Sequence, residues 1–150
     1  LHSRIVFVGS GKLGFPATSI LSFALGCDMV HIAREPMLSI GCIQAQRCHT
    51  GHCPTGVATQ NRWLMRGLDP THKGTRLANY IVTLRKEILQ ISRACGVVHP
   101  SLVTADQCEI LDEKFGSLTA REVFHLADSL EYGLPSDEQR KTIIALPPLV

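Results

Sequence analysis

The apolar pattern changes character several times along the chain. Residues 4–8, Arg4-Ile5-Val6-Phe7-Val8, are apolar and β-branched without alternation. That predicts a strand buried on both faces, as in a parallel sheet. Gly9-Ser10-Gly11-Lys12 breaks the run. Pro16 suits a first helical turn, where its fixed φ and missing N–H cost little. Ile20, Leu21, Ala24 and Leu25 recur at helical spacing, and Gly26 supplies a C-terminal cap. Met29 to Ile32 predicts a second strand. Residues 4–32 thus read as a βαβ unit with parallel strands and a right-handed crossover.

Residues 36–61 lose this periodicity, and the pattern predicts an irregular segment with a helical turn near Leu38 to Gln46. A long irregular stretch in a compact domain needs a functional reason. From Arg76 to Cys95, apolar residues at Leu77, Tyr80, Ile81, Leu84, Ile88, Ile91 and Cys95 mark an amphipathic helix that Gly96 ends. Thr104 with Gln107, and Thr119 with Glu122, have capping-box spacing. They predict helices running to about Leu111 and about Leu130. The tail after Gly133 shows few helix signals and is expected to be poorly ordered. The expected organisation is therefore two βα units over 1–35, a cysteine loop over 36–61, a helical extension over 62–132 and a tail over 133–150.

Composition narrows the class. The chain has 150 residues, 45% hydrophobic and 19% charged, as a globular domain has. A net charge of +2 without like-charge blocks gives no reason to expect nucleic acid or a membrane as partner. No apolar run reaches the roughly 18 residues of a spanning helix. The first residues lack a signal-peptide pattern, so a cytoplasmic location is expected. The start Leu1-His2-Ser3-Arg4, without Met, reads as a piece of a longer chain.

Three of the six cysteines cluster, as Cys42, Cys48 and Cys53, with spacing C-x5-C-x4-C. Such a cluster without a secretory signal favours metal over disulfides. Three thiolates suit an iron–sulfur cluster with one cysteine per iron. Pro54 matches the Cys-Pro ending of ferredoxin motifs and restricts Cys53 to extended backbone. Zinc, with His49 or His52 as fourth ligand, is the second reading, although the spacing differs from the usual paired knuckles. Reduced loop cysteines are the third. Cys27, Cys95 and Cys108 read as packing residues.

Ser10-Gly11-Lys12, between strand and helix, places backbone N–H groups where they can converge on a phosphate. Ala33-Arg34 follows the second strand on the same sheet edge. The loop lacks Walker A spacing. Gly9, Gly11 and Gly14 fit G-x-G-x-x-G, but Asp28 precedes the second strand and is not at its end. A plain βα turn is the alternative.

Taken together, the strand, the Ser-Gly-Lys loop, Ala24-Leu25-Gly26-Cys27-Asp28, the second strand and the segment Gly41 to Gln60 resemble the flavin domain of glutamate synthases. Residues 76–130 resemble the extension of a stand-alone glutamate-synthase-like group. Gly11-Lys12 stands where glutamate synthases proper usually have Gly-Gly, and Arg34 replaces a small polar residue. The lysine is similar to the stand-alone group.

The resemblance implies an α/β fold, the C-terminal fragment of a TIM barrel, with Arg4–Val8 and Met29–Ile32 as its last two strands. A whole barrel has eight strands and about 250 residues, so apolar edges are expected to be exposed here. It implies that Ser10, Gly11, Lys12, Ala33 and Arg34 surround the phosphate of FMN. It implies that Cys42, Cys48 and Cys53 hold a three-iron, four-sulfur cluster. The implied activity is an oxidoreductase forming glutamate from 2-oxoglutarate and ammonia or glutamine nitrogen. The implied electron donor is ferredoxin or a NAD(P)H-dependent subunit. No catalytic acid or base is assigned; His31 is the nearest candidate, and a packed structural role for it is favoured. A non-catalytic zinc module and a flavin oxidoreductase with another substrate are the alternatives.

Overall fold

The computed structural model describes residues 5–111, 116–126 and 135–147. Two short strands, β1 (Val8–Ser10) and β2 (Met29–His31), pair in parallel, with Val8 opposite Met29 and Ser10 opposite His31. Helix α1 (Pro16–Ala24) connects them, with Pro16 in its first turn as its fixed φ favours. The βαβ reading therefore holds. Its strand boundary does not. Residues 5–7 lie outside the ladder, because Asp28 takes the Phe7 N–H on its carboxylate at 2.8 Å. The Phe7 carbonyl in turn accepts from the Asp28 and Met29 amides.

Burial on both faces is corrected as well. Ile5 to Val8 are all exposed, and Val6 is 64% exposed. One face of β1 does meet α1: a Cβ on Gly9 would lie 2.5 Å from Ser22 Oγ. The other face has no layer over it among the described residues.

Helix α2 (Arg34–Ser39) starts directly after β2. It precedes the helical turn expected near Leu38 to Gln46, where left-handed backbone at Gly41, Gln44 and Gln46 breaks helical geometry. Helix α3 (Pro70–Ala94) is 25 residues long and begins six residues before Arg76. Asp69 caps it by accepting the Thr71 N–H, and Pro70 occupies its first turn. Those first turns are largely exposed, so they carry no apolar stripe for the sequence to show.

α1 packs on α3, and the core forms between them. Ile20, Ala24 and Val103 are its buried members, with Ile88, Ile91, Cys95, Val97 and Cys108 against them. Burying a side chain such as Ile20 contributes about 1.5–3 kcal/mol. The packing role expected of Cys95 and Cys108 is seen here.

Both capping boxes form, at Thr104–Gln107 and Thr119–Glu122, but each opens less helix than expected. Ala105–Gln107 is a single turn followed by β3 (Glu109–Leu111), which pairs antiparallel with β4 (Ser117–Thr119). Helix α4 covers only Ala120–Val123; the expected end near Leu130 lies outside the described residues. The tail expected to lack helix signals contains α5 (Asp137–Ala145), opened by a third capping box, Ser136 with Gln139. Among the described residues no helix is long and apolar enough to cross a membrane. The fold is thus mixed α/β with few strands.

Candidate functional site

Two regions carry the residues singled out from the sequence. The first is the loop from Ser10 to Phe15. Ser10 ends β1 opposite His31, and Gly11 and Lys12 follow with φ of 114° and 55°. The carbonyls of Lys12, Leu13 and Gly14 are turned toward the helices. Thr18 Oγ1 donates to the Lys12 carbonyl at 3.1 Å, and Ser19 Oγ to the Leu13 carbonyl at 2.5 Å. Tyr80 Oη, from α3, donates to the Gly14 carbonyl at 2.7 Å. In a planar trans peptide the next N–H points opposite to each carbonyl. The Leu13, Gly14 and Phe15 amides therefore face away from the helices. None of them donates to a protein acceptor among the described residues.

The loop after β2 joins this region through Gly14. A Cβ there would fall 2.5 Å from Glu35 Cγ, so only glycine allows the close approach. Ala33 is the N-cap residue of α2 and Arg34 its first residue; both are exposed. Glu35, 8% exposed, was not visible as a site residue in the sequence. With burial, its charge raises the pKa of Tyr80; burial is the larger cause. His31 is exposed at the end of β2, which corrects the packed role favoured for it.

The second region is the cysteine loop. Cys42, Cys48 and Cys53 line one small hollow together with Gln46, Arg47 and Thr55. All six cysteines are free thiols. Cys53 is 7% exposed, whereas Cys48 lies open to solvent. The backbone is wound tightly. Gln44 N–H donates to Cys42 Sγ at 3.4 Å, Thr59 Oγ1 donates to the Gly51 carbonyl, and Gly51 is left-handed. Gly56 N–H closes a turn on the Cys53 carbonyl at 3.2 Å, with Pro54 and Thr55 between. Gly56 has φ of 78°, and a Cβ there would meet the Leu64 carbonyl at 2.6 Å.

This turn governs the Cys53 sulfur. Its pKa is lowered from 9.0 to about 7, first by the Thr55 hydroxyl and then by backbone N–H groups of Ala58, Thr55 and Val57. Cys53 is covered by its own loop and not by a deep core, so the opposing effect of desolvation is small. Lower pKa means more thiolate, the form that binds metal. Backbone and hydroxyl donors around sulfur also suit iron–sulfur ligation. Among the described residues, no three Cys, His, Asp or Glu side chains are placed to hold a single metal ion. His49 and His52 are exposed.

Thr55 was missed in the sequence, although Cys53-Pro54-Thr55-Gly56 has the proline and glycine positions of a tight turn. Lys73 was missed too; it lies on α3 with its Nζ 3.0 Å from a Cβ position on Gly41.

A family model described as the conserved region in glutamate synthase matches residues 1–98, which include both regions. The chain belongs to the glutamate synthase family. It is 41% identical over 100 residues to the glutamate synthase large subunit-like protein YerD of Bacillus subtilis, covering 67% of this chain and 19% of that protein. It is 36% identical over 97 residues to an archaeal glutamate synthase [NADPH] of Methanocaldococcus jannaschii, covering 65% of this chain and 19% of that protein. Against the glutamate synthase [NADPH] large chain of Bacillus subtilis the identity is 32% over 98 residues, covering 64% of this chain and 6% of that protein. The chain therefore spans about a fifth or less of the length of these relatives. No solved structure matches it.

Proposed function

We propose that this chain provides the last two strands of an FMN-binding barrel and the cysteine loop of an oxidoreductase that forms L-glutamate from 2-oxoglutarate and ammonia or glutamine nitrogen. The reading rests on one observation above others. In a glutamate synthase family chain, the three cysteines of C-x5-C-x4-C line one hollow, and a turn aims donors at the Cys53 sulfur.

Cys42, Cys48 and Cys53 would hold a three-iron, four-sulfur cluster. Ser10, Gly11 and Lys12, with Ala33 and Arg34, would hold the FMN phosphate. When bound, these groups supply electron transfer and hydride delivery to an imine of 2-oxoglutarate. The protein's own contribution is positional. Thr18, Ser19 and Tyr80 fix the loop carbonyls, which leaves the Leu13, Gly14 and Phe15 amides free to face an anion. Lys12 and Arg34 add positive charge at the ends of the two strands. Thr55 and its neighbouring amides lower the Cys53 pKa to about 7, which raises the thiolate share available to a metal. The NADPH in the names of two relatives favours a NAD(P)H-dependent donor over ferredoxin.

Turnover of the full-length protein tests the reaction. Under anaerobic conditions with a chemical reductant, 2-oxoglutarate with ammonia or glutamine should yield glutamate. Oxidation of bound flavin by neither combination would overturn the reaction and leave a flavin enzyme with another substrate.

A further inference from the structure

Lys73 stands at an unusual place. It lies in the first turns of α3, whose N-terminus already carries partial positive charge. Cations are disfavoured there and carboxylates favoured, yet the first turn of α3 has no acidic residue. The capping Asp69 is engaged with the Thr71 N–H at 3.0 Å. Among the described residues no carboxylate pairs with Lys73. The side chain is half-buried, so its charge is less screened than that of a surface lysine.

Its surroundings are specific. Lys73 Nζ lies against Gly41, the residue before Cys42. Lys73 also lines a cavity of about 390 Å³ whose other walls include Gly41, Pro54, Thr55 and Trp63. Pro54 follows Cys53, and Thr55 Oγ1 lies 3.5 Å from its sulfur. Arg66 stacks over the ring of Trp63 at 4.6 Å. The ammonium, without a carboxylate in ion-pair range among the described residues, thus shares a cavity with the backbone next to two of the three cysteines, Gly41 before Cys42 and Pro54 after Cys53.

We propose that Lys73 is a positioning residue for electron flow, setting the reduction potential of the cluster by its charge. The inference rests on the cluster reading above. Reduction adds one electron, and hence one negative charge, to the cluster. A fixed positive charge nearby stabilises that form more than the oxidised one and raises the potential. The ammonium offsets part of the cost of placing the extra charge among thiolates.

The test is an anaerobic redox titration of the full-length protein, followed by electron paramagnetic resonance, with iron and sulfide analysis of each sample. Wild type, Lys73→Met and Lys73→Arg are compared. All three should carry the same cluster content. The midpoint of Lys73→Met should move to more negative potential, and that of Lys73→Arg should stay near wild type. A fully loaded Lys73→Met with an unchanged midpoint overturns the inference and leaves the cluster reading intact. Loss of the cluster in Lys73→Met overturns it too, because a field acting on potential leaves assembly unaffected. A wild-type protein without iron and sulfide overturns both.

Discussion

The sulfur of Cys53 is governed by three residues that follow it. Pro54 and Gly56 make the turn, and Thr55 presents its hydroxyl to the thiolate. Thr55→Val keeps the side-chain shape and removes the donor. The thiolate then loses the largest contribution to its lowered pKa, which moves back from about 7 toward 9.0. Partners of metal ligands are worth about 10–100-fold in metal affinity. Iron should therefore leave the full-length variant about tenfold faster in the presence of a chelator, followed by loss of visible absorbance under anaerobic conditions. An unchanged rate would show that Thr55 does not serve the sulfur. Among residues, the grouping of Cys42, Cys48 and Cys53 around one hollow was legible, because C-x5-C-x4-C is written in the chain itself. Thr55, Glu35 and Lys73 were not. Their roles depend on which backbone each one meets, and Gly14 and Gly41 meet Glu35 and Lys73 across the fold.

Element ends were more legible than element lengths. All three capping boxes have their bonds, including the one at Ser136 that sequence reading passed over. A box fixes where a helix opens, but tertiary pairing decides where it closes. After Gln107 the chain turns into β3, because Gln107 Nε2 donates to the Cys95 carbonyl and the Ala120 N–H to the Cys108 carbonyl. The short helical turn Pro100–Leu102 has a cap of another kind. His99 Nδ1 accepts the Ser101 N–H at 3.2 Å, which requires that nitrogen to be unprotonated. Burial lowers the His99 pKa from 6.5. The unfolded chain then binds the proton more readily, so stability rises with pH in this window. The contribution is fully present above pH 6.5 and is lost as pH falls through the lowered folded value. Melting temperatures of the full-length protein should drop on acidification below that point, and His99→Asn should flatten the drop. Coincident profiles for the two proteins would contradict this.

For the molecule as a whole, the parallel pair β1 and β2 is too small to stand alone, since isolated two-stranded sheets are marginal in water. Ile5 to Val8, Phe15 and Met29 are exposed on and beside it. An apolar strand edge of this kind is where further strands pair. The βαβ unit was legible because periodicity, Pro16 and Gly26 agree. A barrel is implied only by the resemblance, since the described residues form two separate strand pairs and no closed sheet. The proposed redox role requires the three sulfurs of Cys42, Cys48 and Cys53 to bind iron. The most direct measurement is iron, acid-labile sulfide and zinc analysis of the anaerobically purified full-length protein, beside a Cys42→Ser/Cys48→Ser/Cys53→Ser variant. A brown protein with the iron and sulfide of a three-iron, four-sulfur cluster, lost in the variant, is the predicted result. A colourless protein carrying zinc in place of iron, or cluster iron retained without these cysteines, would contradict it.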